Sequence, residues 1–317
     1  MNLAAEKARE VVNQVNQVIL GKEKETEEVF LAFLANGHVL LEDVPGVGKT
    51  TLASAFSRTM ALDCRRVQFT PDVMPSDLTG FSVYKRAEER FSYQQGSVFC
   101  NLLLADEINR TSPKTQSALL EVMEEGRVTV EGVTREVPRP FLVIATQNPI
   151  GSAGTQRLPE AQMDRFMITV TLGYPDFKHE LSMAMAVGER NRLDSVRPVI
   201  GRDEFVSMQK QIHQVYIKEN VYQYITQLVT ATRSHPYLDY GASPRATIAL
   251  VKMARAAAWF HGSSYVVPQE VERQFAYVIS HRIVLNASAR MEGIRREEIV
   301  DEIVRKVRKP RMGEWGA

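Results

Sequence analysis

The chain has 317 residues, 44% hydrophobic and 24% charged, which is enough apolar material for a sizeable core and too much for a disordered chain. Its 39 Lys and Arg residues against 38 Asp and Glu leave a formal net charge of +1, so no global excess points to nucleic acid or an anionic membrane. The two cysteines and six scattered histidines show no metal-ligand spacing, and no apolar run approaches bilayer length. A cytoplasmic protein with free thiols at Cys64 and Cys100, and no membrane insertion, is expected.

In chain order, apolar periodicity predicts helices over 3–19 and 24–36, then a short buried strand over 38–41. The strand runs into EDVPGVGKTT, residues 42–51, and a helix over 50–60. A strand, a Gly-containing loop and a helix N-terminus form a concavity of backbone N–H groups at the positive end of a helix dipole. Pro45, Gly46, Val47 and Gly48 shape the loop, and Thr50 and Thr51 open the helix. In such a loop Lys49 reaches the β- and γ-phosphates of a nucleotide and the Thr50 hydroxyl ligates Mg²⁺. The pattern GxxxxGK[ST] begins with Gly, whereas this chain has Asp43 there. Asp43 is therefore expected to adopt a turn conformation that Gly takes more easily.

Strands are predicted at 66–69, 102–105, 141–145 and 167–171. The second ends in Asp106 and Glu107: Asp106 is placed to hold Mg²⁺ and Glu107 to activate the attacking water. The third ends in Gln147 and Asn148, whose amides can orient water beside the γ-phosphate. Alternating strands and helices up to residue 174 argue for a parallel sheet covered by helices, an ATP-binding core over 1–174. Two hairpins interrupt it. One lies within 70–98, with strands at 81–84 and 90–94; the other spans 126–137, with Glu131-Gly132 at its turn. From residue 175 the pattern turns helical to residue 317. Asp176 caps a helix to about residue 190, another spans 203 to about 218, and a third spans 221–234. Ser243-Pro244 opens a helix ended by Gly262, Pro268 opens the next, and a charged helix covers 294–308.

These strings, in this order, resemble those of the MoxR family of AAA+ ATPases over essentially the whole chain: VILGKE (18–23), LLEDVPGVGKT (40–50), FTPDVMPSDLTG (69–80), LLLADEINR (102–110), ALLEVMEEGRVTV (118–130), IATQNP (144–149), LPEAQMDRF (158–166) and GASPRA (241–246). The resemblance implies a P-loop NTPase of α/β class, followed by a small all-α lid, binding ATP and Mg²⁺. It implies that Ile19, Leu20 and Gly21 line the adenine pocket, that Asn148 is the first sensor, and that Arg245 is the second, reaching the nucleotide from the lid. Arg165 matches the arginine finger that completes a neighbouring subunit's site, with Arg157 as the alternative. It further implies a homo-oligomer, a hexameric ring, and a chaperone-like role in maturing protein complexes or inserting metal cofactors, often beside von Willebrand A-domain proteins. A metal-chelatase-like ATPase subunit, a nucleic-acid motor and a non-hydrolysing nucleotide-dependent scaffold are the other readings. The mixed charges of the second hairpin (Arg127, Glu131, Arg135, Glu136) are poor for gripping phosphate backbones, so no nucleic-acid partner is expected. Val130 and Val133 could instead hold a protein client.

Overall fold

The computed structural model describes residues 3–148, 158–185 and 192–310. Helices α1 (Leu3–Asn16) and α2 (Glu23–Leu34) lead into β1 (Val39–Glu42), α3 (Lys49–Thr59) and β2 (Cys64–Gln68). Next come α4 (Pro75–Thr79), the hairpin β3 (Phe81–Lys85) and β4 (Arg90–Gln94), then β5 (Leu102–Asp106) and α5 (Pro113–Glu125). The hairpin β6 (Arg127–Val130) and β7 (Val133–Glu136) precedes β8 (Leu142–Gln147), α6 (Glu160–Met163) and β9 (Ile168–Val170). The remainder is α7 (Phe177–Met185), α8 (Arg202–Ile212), α9 (Glu219–Arg233), β10 (Leu238–Tyr240), α10 (Pro244–Phe260), α11 (Pro268–Ile279), β11 (Val284–Leu285), α12 (Ala287–Met291) and α13 (Arg296–Lys306).

The central sheet is five-stranded and parallel, in the order β2-β5-β8-β1-β9. Its strands are buried on both faces, and alternate residues serve different layers. Val39, Leu41, Leu102, Leu104, Leu142 and Ile144 face α1–α3 and the lid, whereas Leu40, Leu103, Ala105, Val143 and Ala145 face α4, α5 and the bases of the hairpins. The first of these cores runs without a break from α1–α3 into α8–α11 and α13. Phe30 shows this junction, stacking on Phe56 in α3 while also meeting Phe205 in α8 and Phe260 in α10.

Two helix ends and the conformation at Asp43 depart from the sequence reading for tertiary reasons. Helix α1 stops at Asn16 rather than residue 19, because the chain turns through Gly21 at φ +68° to deliver Ile19 to the core. Helix α8 stops at Ile212 rather than near 218, because Tyr216 pairs with the 264–266 segment: its N–H donates to Ser264 O at 2.9 Å and its carbonyl accepts from Val266 N at 3.0 Å. Asp43 does not take a left-handed conformation; it is buried and bonded as described below. Helix α5, which the sequence reading does not place as an element, is capped by Ser112, whose Oγ accepts from Thr115 N, with Pro113 at its first position. The end of the helix expected to reach residue 190 lies outside the described residues. Both hairpins form as expected; Glu131 and Gly132 have φ +54° and +75°, the two positive values that a tight two-residue hairpin turn requires.

Candidate nucleotide site

Strands β1, β2 and β5 end on one edge of the sheet, and there the chain forms a cleft of about 280 Å³ lined by Pro45, Gly46, Gly48, Lys49, Thr50, Thr51, Arg66, Gln68, Asp106 and Glu107. Gly46 and Gly48 have φ +89° and +94°, so the loop depends on residues that tolerate left-handed backbone, and Gly48 caps α3. The Lys49 ammonium donates to Asp43 O at 3.1 Å. Ile19 lies beside this loop: a methyl added at Gly48 would come 3.8 Å from its Cδ1, and one added at Gly21 would strike the His179 ring of α7. Leu20 is half-buried in the same turn, and Val47 packs beneath the loop.

Contacts that no local pattern marked, with Arg66, Gln68 and Thr146 among them, complete the edge. Asp43, where the motif has Gly, accepts from Leu172 N at 2.6 Å and Gly173 N at 2.8 Å, tying the phosphate loop to the chain leaving β9. Arg66 Nη2 donates to Asp106 Oδ2 at 2.7 Å, while Thr146 Oγ1 donates to Asp106 Oδ1 at 2.6 Å and accepts from Glu107 N at 2.8 Å. Glu107 sits at φ +57°, its Oε2 accepting from Arg110 at 2.7 Å and Gln68 at 3.0 Å. The register explains this: Arg66 and Gln68 are two apart on β2, hence on one face, and Gln68 pairs with Asp106. Only the pattern of alternate polar residues on a strand-like run could have flagged them. Gln147 is turned inward, with its amide on Glu42 and Met163 Sδ, so of the two amides expected to orient water it is the one held away; Asn148 follows at the half-buried end of β8. The donor set in this cleft, a hydroxyl and a nearly buried carboxylate, is the hard oxygen chemistry that suits Mg²⁺.

Arg165 and Arg245 are elsewhere. Arg165 precedes β9 and Arg245 opens α10; both meet Glu124 near the end of α5, with Arg245 Nη2 2.6 Å from Oε1 and Arg165 Nη1 3.5 Å from Oε2. They line a separate cavity of about 180 Å³ with Met123, Asp164, Met167, Lys252 and Arg282. Met123 and Met167 both bond to His38, the residue before β1, which places this cavity at the sheet edge where strands begin. Strands of four to six residues separate the two edges by roughly 13–20 Å. Within this chain Arg245 therefore lines a cavity at the sheet edge opposite the cleft of Lys49 and Thr50. Arg157 lies outside the described residues.

Behind the two arginines is a tightly bonded junction. Arg282 donates through Nε to Asp164 Oδ1 at 2.7 Å, and its other nitrogens reach the carbonyls of Asp164, Phe166, Met167 and Val278. Asp164 Oδ2 accepts from Ser243 Oγ at 2.8 Å, the side chain that caps the helix carrying Arg245. The hairpins also meet: Ser82 donates to Glu131 at 2.5 Å and Arg135 stacks 3.7 Å over Tyr93, leaving the Tyr84–Phe91 pair exposed at the tip of β3–β4. Among the described residues no helix is long and apolar enough to cross a membrane.

A parallel sheet, a phosphate loop and acidic residues at the end of the next strand but one, followed by a helical lid, define a P-loop ATPase of the AAA+ class. Residues 38–168 match the family described as "ATPase family associated with various cellular activities (AAA)", and residues 230–303 match the AAA lid domain. The chain is 45% identical to the uncharacterised protein YeaC of Bacillus subtilis, covering 94% of this chain and 93% of that one. It is 36% identical to Chaperone MoxR1 of Mycobacterium tuberculosis, covering 94% and 81%. A crystal structure from Cytophaga hutchinsonii, provisionally described as an ATPase, superposes with a TM-score of 0.90 at 39% identity over 97% of this chain and 96% of that chain. The chain belongs to the MoxR family of AAA+ ATPases.

Proposed function

We propose that this protein is a cytoplasmic, ring-forming ATP hydrolase that remodels protein clients, with each active site assembled from two copies. The carrying observation is the separation of its cations. Lys49, Thr50, Asp106 and Glu107 share one cleft, while Arg165 and Arg245 line a cavity on the opposite sheet edge. In this reading Lys49 and the loop amides hold the phosphates, Thr50 and Asp106 would hold Mg²⁺, and Glu107 takes a proton from the attacking water. Magnesium, when bound, supplies charge neutralisation on the phosphate oxygens. Gln68 and Arg110 position the Glu107 carboxylate, and Asn148 orients the water from the end of β8. Ile19, Leu20 and Gly21 receive the base. Arg165 and Arg245 present two permanent charges to a neighbouring copy's nucleotide, in a hexameric ring.

A protein client is supported by the name of a relative that covers most of this chain, a chaperone, and by the exposed apolar tips of the hairpins, where Phe91 and Val133 stand out. Lys85 and Arg90 near those tips both pair with Glu88, which offsets part of the positive charge a nucleic-acid backbone would need. A von Willebrand A-domain protein is one client class, and assembly of complexes or insertion of a metal cofactor the kind of work. The site is tested with two variants. Lys49→Ala should abolish nucleotide binding, and Glu107→Gln should retain binding while turnover falls about 10²–10⁴-fold. Turnover by Glu107→Gln at the wild-type rate would refute the assignment.

A further inference from the structure

We propose that Glu124 is an internal competitor for the neighbour's phosphate: its carboxylate occupies the place between Arg165 and Arg245 that an incoming oxyanion takes, and it sets the concentration at which subunits associate productively. This rests on the reading that the two arginines serve a neighbouring copy.

The three arginines of the cavity are bonded unequally, and the inequality assigns their roles. Arg282 is buried, at 3% exposure, and uses all three nitrogens on one carboxylate and four carbonyls. It has no donor capacity to offer a ligand. Arg165 is 31% exposed, its guanidinium touches a single carboxylate at 3.5 Å, and its Nε is buried without a hydrogen-bond partner. Arg245 is 49% exposed and, among the described residues, its side chain bonds only to Glu124. A planar five-donor group left this undersatisfied suits a multidentate oxyanion.

Glu124 bridges the two with one oxygen each, as a phosphate would. It is 46% exposed, so it can rotate into water at small desolvation cost. Asp164 cannot play this part, since it is held by Arg282 and Ser243. Glu121 and Glu125 line the hollow on the other side of Arg165 but do not pair with it; Glu125 is bonded to Arg127. Once the Asp164–Arg282 pair is set aside as neutral, Glu124 is the one remaining acidic residue among the described residues that line the cavity with Arg165, Arg245 and Lys252. Displacing that one carboxylate frees a strongly cationic site whose two arginines are already held at fixed spacing by the junction behind them.

The experiment follows ATP turnover against protein concentration for wild type, Glu124→Gln, Glu124→Ala and the control Glu121→Gln. The same series in a Glu107→Gln background with Mg·ATP is followed by sedimentation, which reads association without turnover. Both Glu124 variants should reach half-maximal activity and half-maximal association at roughly three- to tenfold lower concentration than wild type, with saturating turnover retained, since each exposed pair removed is worth up to about fivefold. Glu121→Gln should track wild type. An unmoved or raised midpoint in both Glu124 variants, or an equal shift in Glu121→Gln, would overturn the proposal. Arg165→Ala and Arg245→Ala separate the two levels. If they keep the wild-type rise with concentration, the shared-site reading itself fails; if they abolish it while Glu124 variants do not shift, only the competitor role fails.

Discussion

Removing the Asp164 carboxylate tests the junction that joins core to lid. Asp164→Ala deletes two charge-assisted or hydroxyl contacts, to Arg282 Nε at 2.7 Å and Ser243 Oγ at 2.8 Å, and leaves the Arg282 guanidinium at 3% exposure with only carbonyl dipoles around it. Stranding one partner of a buried ion pair costs about 3–5 kcal/mol, because the remaining charge keeps its desolvation penalty and loses its compensation. Replacing both partners by apolar groups removes that stranded charge, so Asp164→Ala/Arg282→Met should regain much of the loss relative to Asp164→Ala. The assay is urea unfolding followed by circular dichroism, with midpoint and slope compared across the two single variants and the double. Asp164→Ala should lower stability by about 3–5 kcal/mol, and the cycle should show coupling of at least about 1 kcal/mol. Asp164→Ala within about 0.5 kcal/mol of wild type, the range of an unremarkable surface change, would refute the reasoning, as would strict additivity in the cycle.

Three other outcomes are expected. Mixing Arg165→Ala with Glu107→Gln should recover part of the activity each lacks alone, because some interfaces then combine a sound base with a sound finger; verified mixed rings with no recovery would refute the two-copy site. Between pH 6 and 9 the melting temperature should fall: the hydrogen bonds that the His261 ring donates to the Glu27 and Glu270 carboxylates raise it to about 9, and burial raises Glu28 to about 8. Both native values lie above the ordinary 6.5 and 4.5, so their stabilisation is full below those and is lost as pH rises through the native values; Glu28→Gln should flatten the decline, and a melting temperature rising over this range would contradict it. Asp43→Gly restores the usual first residue of the loop motif yet should destabilise by about 1–3 kcal/mol for each unpaired N–H, at Leu172 and Gly173; unfolding at the wild-type denaturant midpoint would show that the contact carries nothing.

Much of this protein is written in short stretches of chain. The phosphate loop, the Asp106-Glu107 strand end, both hairpins and the Ser243 cap are recognisable because each depends on interactions within a few residues: positive φ at Gly46 and Gly48, a two-residue turn at Glu131-Gly132, a hydroxyl accepting from Arg245 N. Alternating strand and helix patterns likewise point to a parallel sheet between helical layers, since period and burial are local properties. What the chain alone did not decide was how distant polar groups meet. Arg66 and Thr146 reach Asp106 only through the pairing of β2, β5 and β8, and Asp43 finds its partners at Leu172 and Gly173 across the β1–β9 pair. The side of the sheet to which Arg245 belongs was equally undecided, because the cap that opens its helix is local whereas the lid's placement follows from the shared apolar core of α2, α3, α8 and α10 and from the buried Asp164–Arg282 junction. A carboxylate or guanidinium carries no record of its partner in neighbouring residues; only packing that joins segments 40 to 130 positions apart selects it.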